Sequence, residues 1–154
     1  MEYLLEKRLD QFKNTVESIE ITNTENIGFL LEDGLTEIYK LLVDVQKKKR
    51  SLYIIGNGGS AAIASHVTID LTKAANIRSI NFNEGSFLTC FSNDYGYEYW
   101  AEKAIEFYAD KGDLVIVISS SGQSKNIINA ALKAKKMSLG LITLSGFSKD
   151  NPLR

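Results

Sequence analysis

Cysteine and histidine are almost absent from this chain of 154 residues, which has one of each. The single cysteine, Cys90, cannot form a disulfide within the chain, and a chain without disulfides fits a reducing compartment. The single histidine, His66, excludes any metal site or catalytic group built from several histidines of this sequence. The sparse cysteine content therefore predicts a cytoplasmic protein.

An excess of charge and long apolar runs are lacking too. The 18 basic residues nearly balance the 19 acidic ones, so there is no electrostatic case for a nucleic-acid partner or an anionic membrane. No apolar run approaches transmembrane length, and the start, Met1–Lys7, lacks the apolar core of a signal peptide. The length suits one domain, which we predict to span residues 1–154.

A glycine-rich stretch in the first half of the chain dominates what is present. The apolar run Leu52–Ile55 predicts a buried strand, Gly56–Ser60 a turn, and Ala61–Ala64 the start of a helix. Free backbone N–H groups and the helix dipole at such a junction favour a bound anion. The alternative is a tight turn that binds nothing, but four small residues in a row exceed what a turn needs.

A serine-rich stretch repeats this arrangement further along. Asp113–Ser119 predicts a strand, Ser119–Ser124 a loop with four hydroxyls and a glycine, and Lys125–Ala131 the start of a helix. Hydroxyl groups donate to phosphate oxygens, so the loop predicts a phosphate site. The alternative is a serine-rich helix cap, although one serine is enough for a cap.

The first 50 residues predict a pair of helices. The first helix, over residues 2–21, carries a narrow apolar stripe that must lie on something else, such as another subunit. The spacing of Thr22 and Glu25 is that of a capping box and predicts the start of a second helix, which ends near Lys49. The stripe of the first helix consists of Leu5, Leu9, Phe12, Val16 and Ile19.

Strands alternate with helices over residues 51–154. This pattern predicts an α/β fold with a parallel sheet flanked by helices. We interpret the aromatic residues of the helix 97–109 as core or subunit packing. The other predicted elements are a helix at 60–75, a strand at 78–82, a short buried helix at 87–91, a loop at 92–96, a helix ending near 137, a strand at 139–144 and an irregular segment at 145–154.

Ligands of such sheets bind beyond the carboxyl ends of the strands. The glycine and serine loops both follow strands, so they can converge on one pocket. A dinucleotide site is the competing interpretation, because Gly56, Gly58 and Ala61 fit a loose Rossmann fingerprint. No clear acid for a ribose diol ends the second strand, and that interpretation leaves the serine loop unexplained. We therefore predict no nucleotide cofactor.

Four motifs in this order resemble the sugar isomerase (SIS) domain family, and more narrowly its phosphoheptose isomerase branch. They are Gly56–Ala62, His66, Asn93–Gly96 and Ser119–Ser124. The resemblance implies a flavodoxin-like three-layer sandwich and a homotetramer. It also implies isomerisation of sedoheptulose 7-phosphate to D-glycero-D-manno-heptose 7-phosphate through an enediol, a step in making lipopolysaccharide or capsule heptose.

The resemblance also implies the roles of individual residues. Two of them, His66 and Asp70, would transfer protons or bind zinc. The family has Glu where this chain has Asp70, and the shorter side chain changes the reach by about an ångström. The substrate-binding residues implied by the resemblance are Asn57, Gly58, Gly59, Ser60, Asn93, Asp94, Ser119, Ser120, Ser121 and Ser124.

Members of the family continue with another strand and a helix that carries a Gln and a His. We therefore expect the present chain to be a fragment, with an incomplete zinc site at His66 and Asp70, because a zinc site needs at least three protein ligands. Two alternatives stay open. One is a non-catalytic SIS protein that binds a sugar phosphate, and the other is one that binds a protein partner such as the replication initiator.

Overall fold

The computed structural model describes residues 2–154, so Met1 of the predicted N-terminal segment lies outside the described residues. The chain forms two compact units, one up to Lys40 and one from Leu41 onward. Within the described residues, no helix is both long and apolar enough to cross a membrane.

The first unit contains a helix, a small hairpin and the start of a second helix. Helix α1 is shorter than predicted, and the predicted start of the second helix at Thr22 is wrong. That segment is instead an antiparallel pair of short strands, in which Ile21 lies opposite Phe29. The bounds are α1 Glu2–Glu17, β1 Ile21–Thr22, β2 Gly28–Phe29 and α2 Leu31–Lys47.

The side chain of Asn23 explains why the capping box fails. Its Oδ1 accepts the backbone N–H groups of Glu25 at 2.9 Å and Ile27 at 3.0 Å. Asn26 turns the chain back with a φ of 59°, a conformation that asparagine tolerates. A side chain that binds its own backbone in this way favours a turn over a helix.

The second unit is built on a four-stranded parallel sheet with the order β4-β3-β5-β6, which confirms the predicted fold class. The helices between the strands lie on both faces of the sheet. The bounds are β3 Ser51–Gly56, α3 Gly59–Ala75, β4 Arg78–Ile80, α4 Gly85–Tyr95, α5 Trp100–Tyr108, β5 Leu114–Ser119, α6 Lys125–Lys136 and β6 Gly140–Ser145.

Alternate residues of the central strands face two separate apolar clusters. Tyr53 and Val115 point to the side of α4, α5 and α6, where Trp100 is fully buried. Leu52 and Leu114 point to the opposite side, which α3 covers together with the C-terminal half of α2. Strands buried on both faces read as continuous apolar runs, which is why β3 and β5 were predictable from sequence.

The region around α4 differs from the prediction. The predicted loop at 92–96 is wrong, because Ser92–Tyr95 form the last turn of α4 and Gly96 ends the helix with a φ of 90°. The helix is not buried as predicted. Its apolar side chains are only half covered, and Phe87 stacks on Phe91 with ring centroids 4.0 Å apart. Packing against neighbouring aromatic rings has overridden the turn preference of these residues.

Candidate functional site

The two predicted binding loops lie side by side at the centre of the sheet. Strands β3 and β5 are neighbours, with Gly56 opposite Ile118. After β3 the chain crosses to β4 on one side, and after β5 it crosses to β6 on the other. A parallel sheet opens a crevice at the point where the direction of winding reverses, beyond the carboxyl ends of the strands. The loops after β3 and β5 border this crevice.

The glycine loop brings backbone very close to backbone. A Cβ on Gly56 would lie 2.7 Å from atoms of Ser60, so only glycine fits there. Gly58 has a φ of 54° and precedes α3 as its N-cap, where no side chain accepts the first N–H groups of the helix. Nothing lies within 4 Å of the Cβ positions of Gly58 and Gly59, so this side of the loop is open.

The serine loop turns tightly and directs several hydroxyls around one glycine. Ser119 is buried, and its Oγ lies 3.2 Å from the Oγ of Ser124. The Oγ of Ser121 accepts the N–H of Gln123 at 3.2 Å. Ser120 is exposed, and Ser124 is the N-cap of α6 but makes no capping hydrogen bond with its side chain.

Helix α4 shows what a capped junction looks like in the same molecule. The carboxylate of Glu84 accepts the N–H of Phe87 at 2.9 Å. Hydrogen bonds from the backbone of Ser86 and Phe87 lower the pKa of Glu84 from its ordinary value of 4.5. The first turns of α3 and α6 have no such side-chain partner. The N–H groups of Ser60 and Ile127 donate to backbone carbonyls, so an anion would bind to the other N–H groups of these first turns.

A pair of asparagine side chains connects the two loops. The Nδ2 of Asn57 donates to the Oδ1 of Asn126 at 2.9 Å, and the Nδ2 of Asn126 donates back to the Oδ1 of Asn57 at 2.9 Å. The hydroxyl of Tyr97 also donates to the Oδ1 of Asn57, at 3.3 Å. Asn126 is 3% exposed, so its amide depends on Asn57.

A cavity of about 80 Å³ opens beside the glycine loop. It is smaller than the roughly 300–1,000 Å³ of ordinary small-molecule pockets, so it has room for only part of a sugar phosphate. The indole N–H of Trp100 is buried without a hydrogen-bond partner. The cavity is lined by Gly56, Asn57, Gly58, Ala61, Asn83, Leu88, Tyr97 and Trp100.

Some of the predicted site residues line the cavity, and others lie away from it. Asn57 and Gly58 line the cavity, while the serine loop contributes no lining residue. Asn93 and Asp94 lie exposed in the last turn of α4, where the Nδ2 of Asn93 donates to Asp94 at 3.0 Å. The Asp94 carboxylate also lies near Cys90 and raises the pKa of its thiol.

The predicted acid–base pair lies on the outer face of α3. The Nε2 of His66 is 3.3 Å from the Oδ2 of Asp70, and the two side chains are 79% and 62% exposed. No group of three or more His, Cys, Asp or Glu side chains within residues 2–154 could hold a metal. The pair therefore does not form a zinc site by itself.

Sequence reasoning missed three residues of this site. Asn126 carries no signal of its own, because Asn129 on the same helix looks equivalent in sequence. The Nδ2 of Asn83 donates to the backbone of Ala61 and to Ser65, both at 2.8 Å, and fixes the start of α3. Tyr97 was interpreted as packing, yet it is exposed and its hydroxyl reaches Asn57.

Comparisons with known proteins agree with this geometry. The SIS domain profile matches residues 9–146. The phosphoheptose isomerase of Campylobacter concisus is 36% identical over 140 residues, which cover 87% of this chain and 73% of the relative. That of Fusobacterium nucleatum is 35% identical over 119 residues, which cover 74% and 60%.

A solved structure is similar as well. The phosphoheptose isomerase GmhA of Neisseria gonorrhoeae superposes with a TM-score of 0.77 at 27% identity, over 96% of this chain and 77% of that one. The matched regions span 60 to 73% of the two curated relatives described above. The chain belongs to the SIS domain family and, within it, to the phosphoheptose isomerases.

Proposed function

We propose that the protein is an isomerase that converts sedoheptulose 7-phosphate into D-glycero-D-manno-heptose 7-phosphate. The observation that carries this proposal is the meeting of two uncapped helix starts, those of α3 and α6, at the crevice between β3 and β5. One junction offers an open glycine turn and the other offers hydroxyl groups. A ligand with a sugar end and a phosphate end matches this pair.

The serine loop is the proposed phosphate site. The hydroxyls of Ser119, Ser121 and Ser124, with the exposed Ser120, would donate to phosphate oxygens together with the first N–H groups of α6. The sugar end would lie along the glycine loop, where Gly58 and Gly59 leave open space and Asn57 faces the cavity. The bound phosphate would orient the sugar and would take no part in the reaction itself.

Isomerisation needs a base and an acid. A base removes a proton from C1 of the ketose while the C2 carbonyl oxygen gains one, which gives an enediol. Return of a proton to C2 and loss of the O1 proton then yield the aldose. We propose the carboxylate of Asp70 as the base, with His66, whose Nε2 lies 3.3 Å from the Oδ2 of Asp70, as its partner.

We propose separately that the protein binds a zinc ion. His66 and Asp70 would supply two ligands, and a zinc ion would need at least one further protein ligand. No step of the isomerisation is assigned to the metal. Measurement of zinc in purified protein, compared with the His66→Ala variant, tests whether this pair takes part in metal binding.

His66 and Asp70 are largely exposed, and this favours a second candidate, a SIS protein that binds a sugar phosphate without converting it. Both functions predict binding of sedoheptulose 7-phosphate, and only the first predicts turnover. Proton NMR of the sugar in deuterated buffer would detect isomerisation through exchange at C1 and C2. Turnover that disappears in Asp70→Asn supports the isomerase, whereas binding without exchange supports the second candidate.

We also propose that the protein is a homo-oligomer, a tetramer by its resemblance to the family. The apolar stripe of α1 supports this proposal, because Leu5, Leu9 and Phe12 are 59–69% exposed in the single chain. An apolar stripe of this kind is costly in water and favours association.

A further inference from the structure

We infer that Asn126 is a positioning residue that holds the glycine loop in its binding geometry through Asn57. The inference rests on the proposed function for its ligand but on the structure alone for its mechanism. Asn126 lies in the first turn of α6, directly after the serine loop, and its side chain reaches across to the residue that follows β3.

The contact between Asn126 and Asn57 is reciprocal and partly buried. Two hydrogen bonds of 2.9 Å join the two amides, each of which is donor and acceptor at once. Asn126 is 3% exposed, so water cannot replace a lost partner. Only a group with an adjacent donor and acceptor can satisfy both bonds, which explains why asparagine stands here rather than an apolar residue.

Asn57 is the one cavity-lining residue of the glycine loop with a polar side chain. Backbone bonds within the loop, from Ser60 N to Asn57 O at 2.9 Å and from Ala62 N to Gly58 O at 3.1 Å, shape the turn but do not connect it to α6. Gly58 and Gly59 have open space around them and add no contact of this kind. The side chain of Asn57 therefore couples this turn to the serine loop.

A ligand that spans both loops depends on the distance between them. If one end sits on the hydroxyls of the serine loop and the other on the glycine loop, a shift of about 1 Å between the loops misplaces the reacting carbon. The side chain of Asn126 touches neither the cavity nor, in this arrangement, the ligand. Its effect on binding must pass through Asn57.

The test compares Asn126→Ala with Asn129→Ala. Asn129 is a matched control, because it lies one turn further on the same helix and its Nδ2 donates to the backbone of Glu98 at 2.9 Å. Amide hydrogen exchange without ligand is expected to rise about tenfold at Ser60, whose N–H donates to the Asn57 carbonyl at 2.9 Å, in Asn126→Ala and to stay unchanged there in Asn129→Ala. Unchanged exchange at Ser60 in a folded Asn126→Ala protein would overturn the inference.

Binding supplies the second readout. Calorimetry with sedoheptulose 7-phosphate should show a dissociation constant about tenfold higher for Asn126→Ala than for the unaltered protein. In a protein that already carries Asn57→Ala, adding Asn126→Ala should change the dissociation constant less than twofold. Independent tenfold effects that multiply would mean that Asn126 acts without Asn57, against the inference.

If Asn126→Ala does not fold, Asn126→Asp takes its place in the test, because the aspartate side chain has nearly the same shape as asparagine. At neutral pH its carboxylate cannot donate to the Oδ1 of Asn57, so the loop should exchange faster as in Asn126→Ala. Protonation at lower pH restores a donor, and the difference in protection from the unaltered protein should shrink. A difference that is the same at every pH contradicts the inference.

The two proposals can fail separately. If the unaltered protein binds no sugar phosphate, the proposed function fails while the exchange data still decide the role of Asn126.

Discussion

The side chain of Asn151 lies directly against Gly122, so that a Cβ on residue 122 would meet the Oδ1 of Asn151 at 1.9 Å. Asn151 is buried and is fixed in turn by its own bonds, from its Nδ2 to Ser145 at 3.0 Å and to the Ser148 carbonyl at 2.8 Å. The centre of the serine loop is thereby supported by a segment that follows β6.

This contact predicts that Gly122→Ala damages both stability and binding. The φ of 64° disfavours any residue with a Cβ, and the added methyl group must displace Asn151. We expect a loss of about 1–3 kcal/mol in the free energy of unfolding, measured by urea denaturation, and weaker binding of sugar phosphate. Gly85→Ala is the control, because nothing lies within 4 Å of its Cβ position. Equal stability of the two variants would contradict the prediction.

Removal of one hydroxyl should weaken phosphate binding. In Ser121→Ala we expect the affinity for sedoheptulose 7-phosphate, measured by calorimetry, to fall by about 1–3 kcal/mol, as for a lost hydrogen bond to a charged group. The variant also frees the N–H of Gln123, which now bonds to the Ser121 hydroxyl at 3.2 Å. Ser86→Ala, in the first turn of α4, is the matched control. If a folded Ser121→Ala protein binds as well as the control, the serine loop is not the phosphate site.

The cap of α4 predicts a pH dependence. The pKa of Glu84 is lowered in the folded protein by hydrogen bonds from the backbone of Ser86 and Phe87, so folding favours its ionised form. That stabilisation is present above the ordinary pKa of 4.5 and is lost as the pH falls through the lower folded value. Unfolding of the protein and of Glu84→Gln, followed by circular dichroism from pH 6 to pH 3, should show a smaller loss of stability in the variant. Parallel pH curves would argue against this cap.

The apolar stripe of α1 predicts a charge-sensitive assembly. Phe12→Glu places a carboxylate in the stripe, where the phenylalanine is 69% exposed in the single chain. We expect sedimentation velocity to show an oligomer for the unaltered protein and smaller species for Phe12→Glu. Asn14→Glu adds the same charge to the polar part of the helix and should leave the assembly intact. A monomer at micromolar concentration before any substitution would refute the proposed oligomer.

Local patterns were enough to predict the central strands and the two helix starts that follow them. Leu52–Ile55 and Leu114–Ile118 are apolar without interruption because both faces of a central parallel strand are buried, and this signal is local. Gly56 and Gly58 are needed by the backbone itself, for close approach and for a positive φ. The glycine and serine loops were therefore recognisable from the order of residues.

Turn preferences and capping patterns were less reliable. Thr22 and Glu25 have the spacing of a capping box, but the side chain of Asn23 between them accepts the backbone N–H groups of Glu25 and Ile27 and forms a turn instead. Ser92–Tyr95 are turn formers that became helix, because the aromatic ring of Phe91 packs against Phe87 and Tyr95. In both places a side-chain contact between residues close in sequence, which the capping and turn patterns do not include, decided the outcome.

The sequence by itself determined the parallel α/β class and the two loops at which an anion can bind, because strand burial, glycine turns and helix starts are properties of short stretches. Only the tertiary structure decided how these loops are held together. Asn57 and Asn126 are 69 positions apart and meet because β3 and β5 are neighbours in the sheet. Asn151 reaches Gly122 because β6 follows β5 in the sheet. Such contacts depend on strand order, which no local pattern of residues specifies.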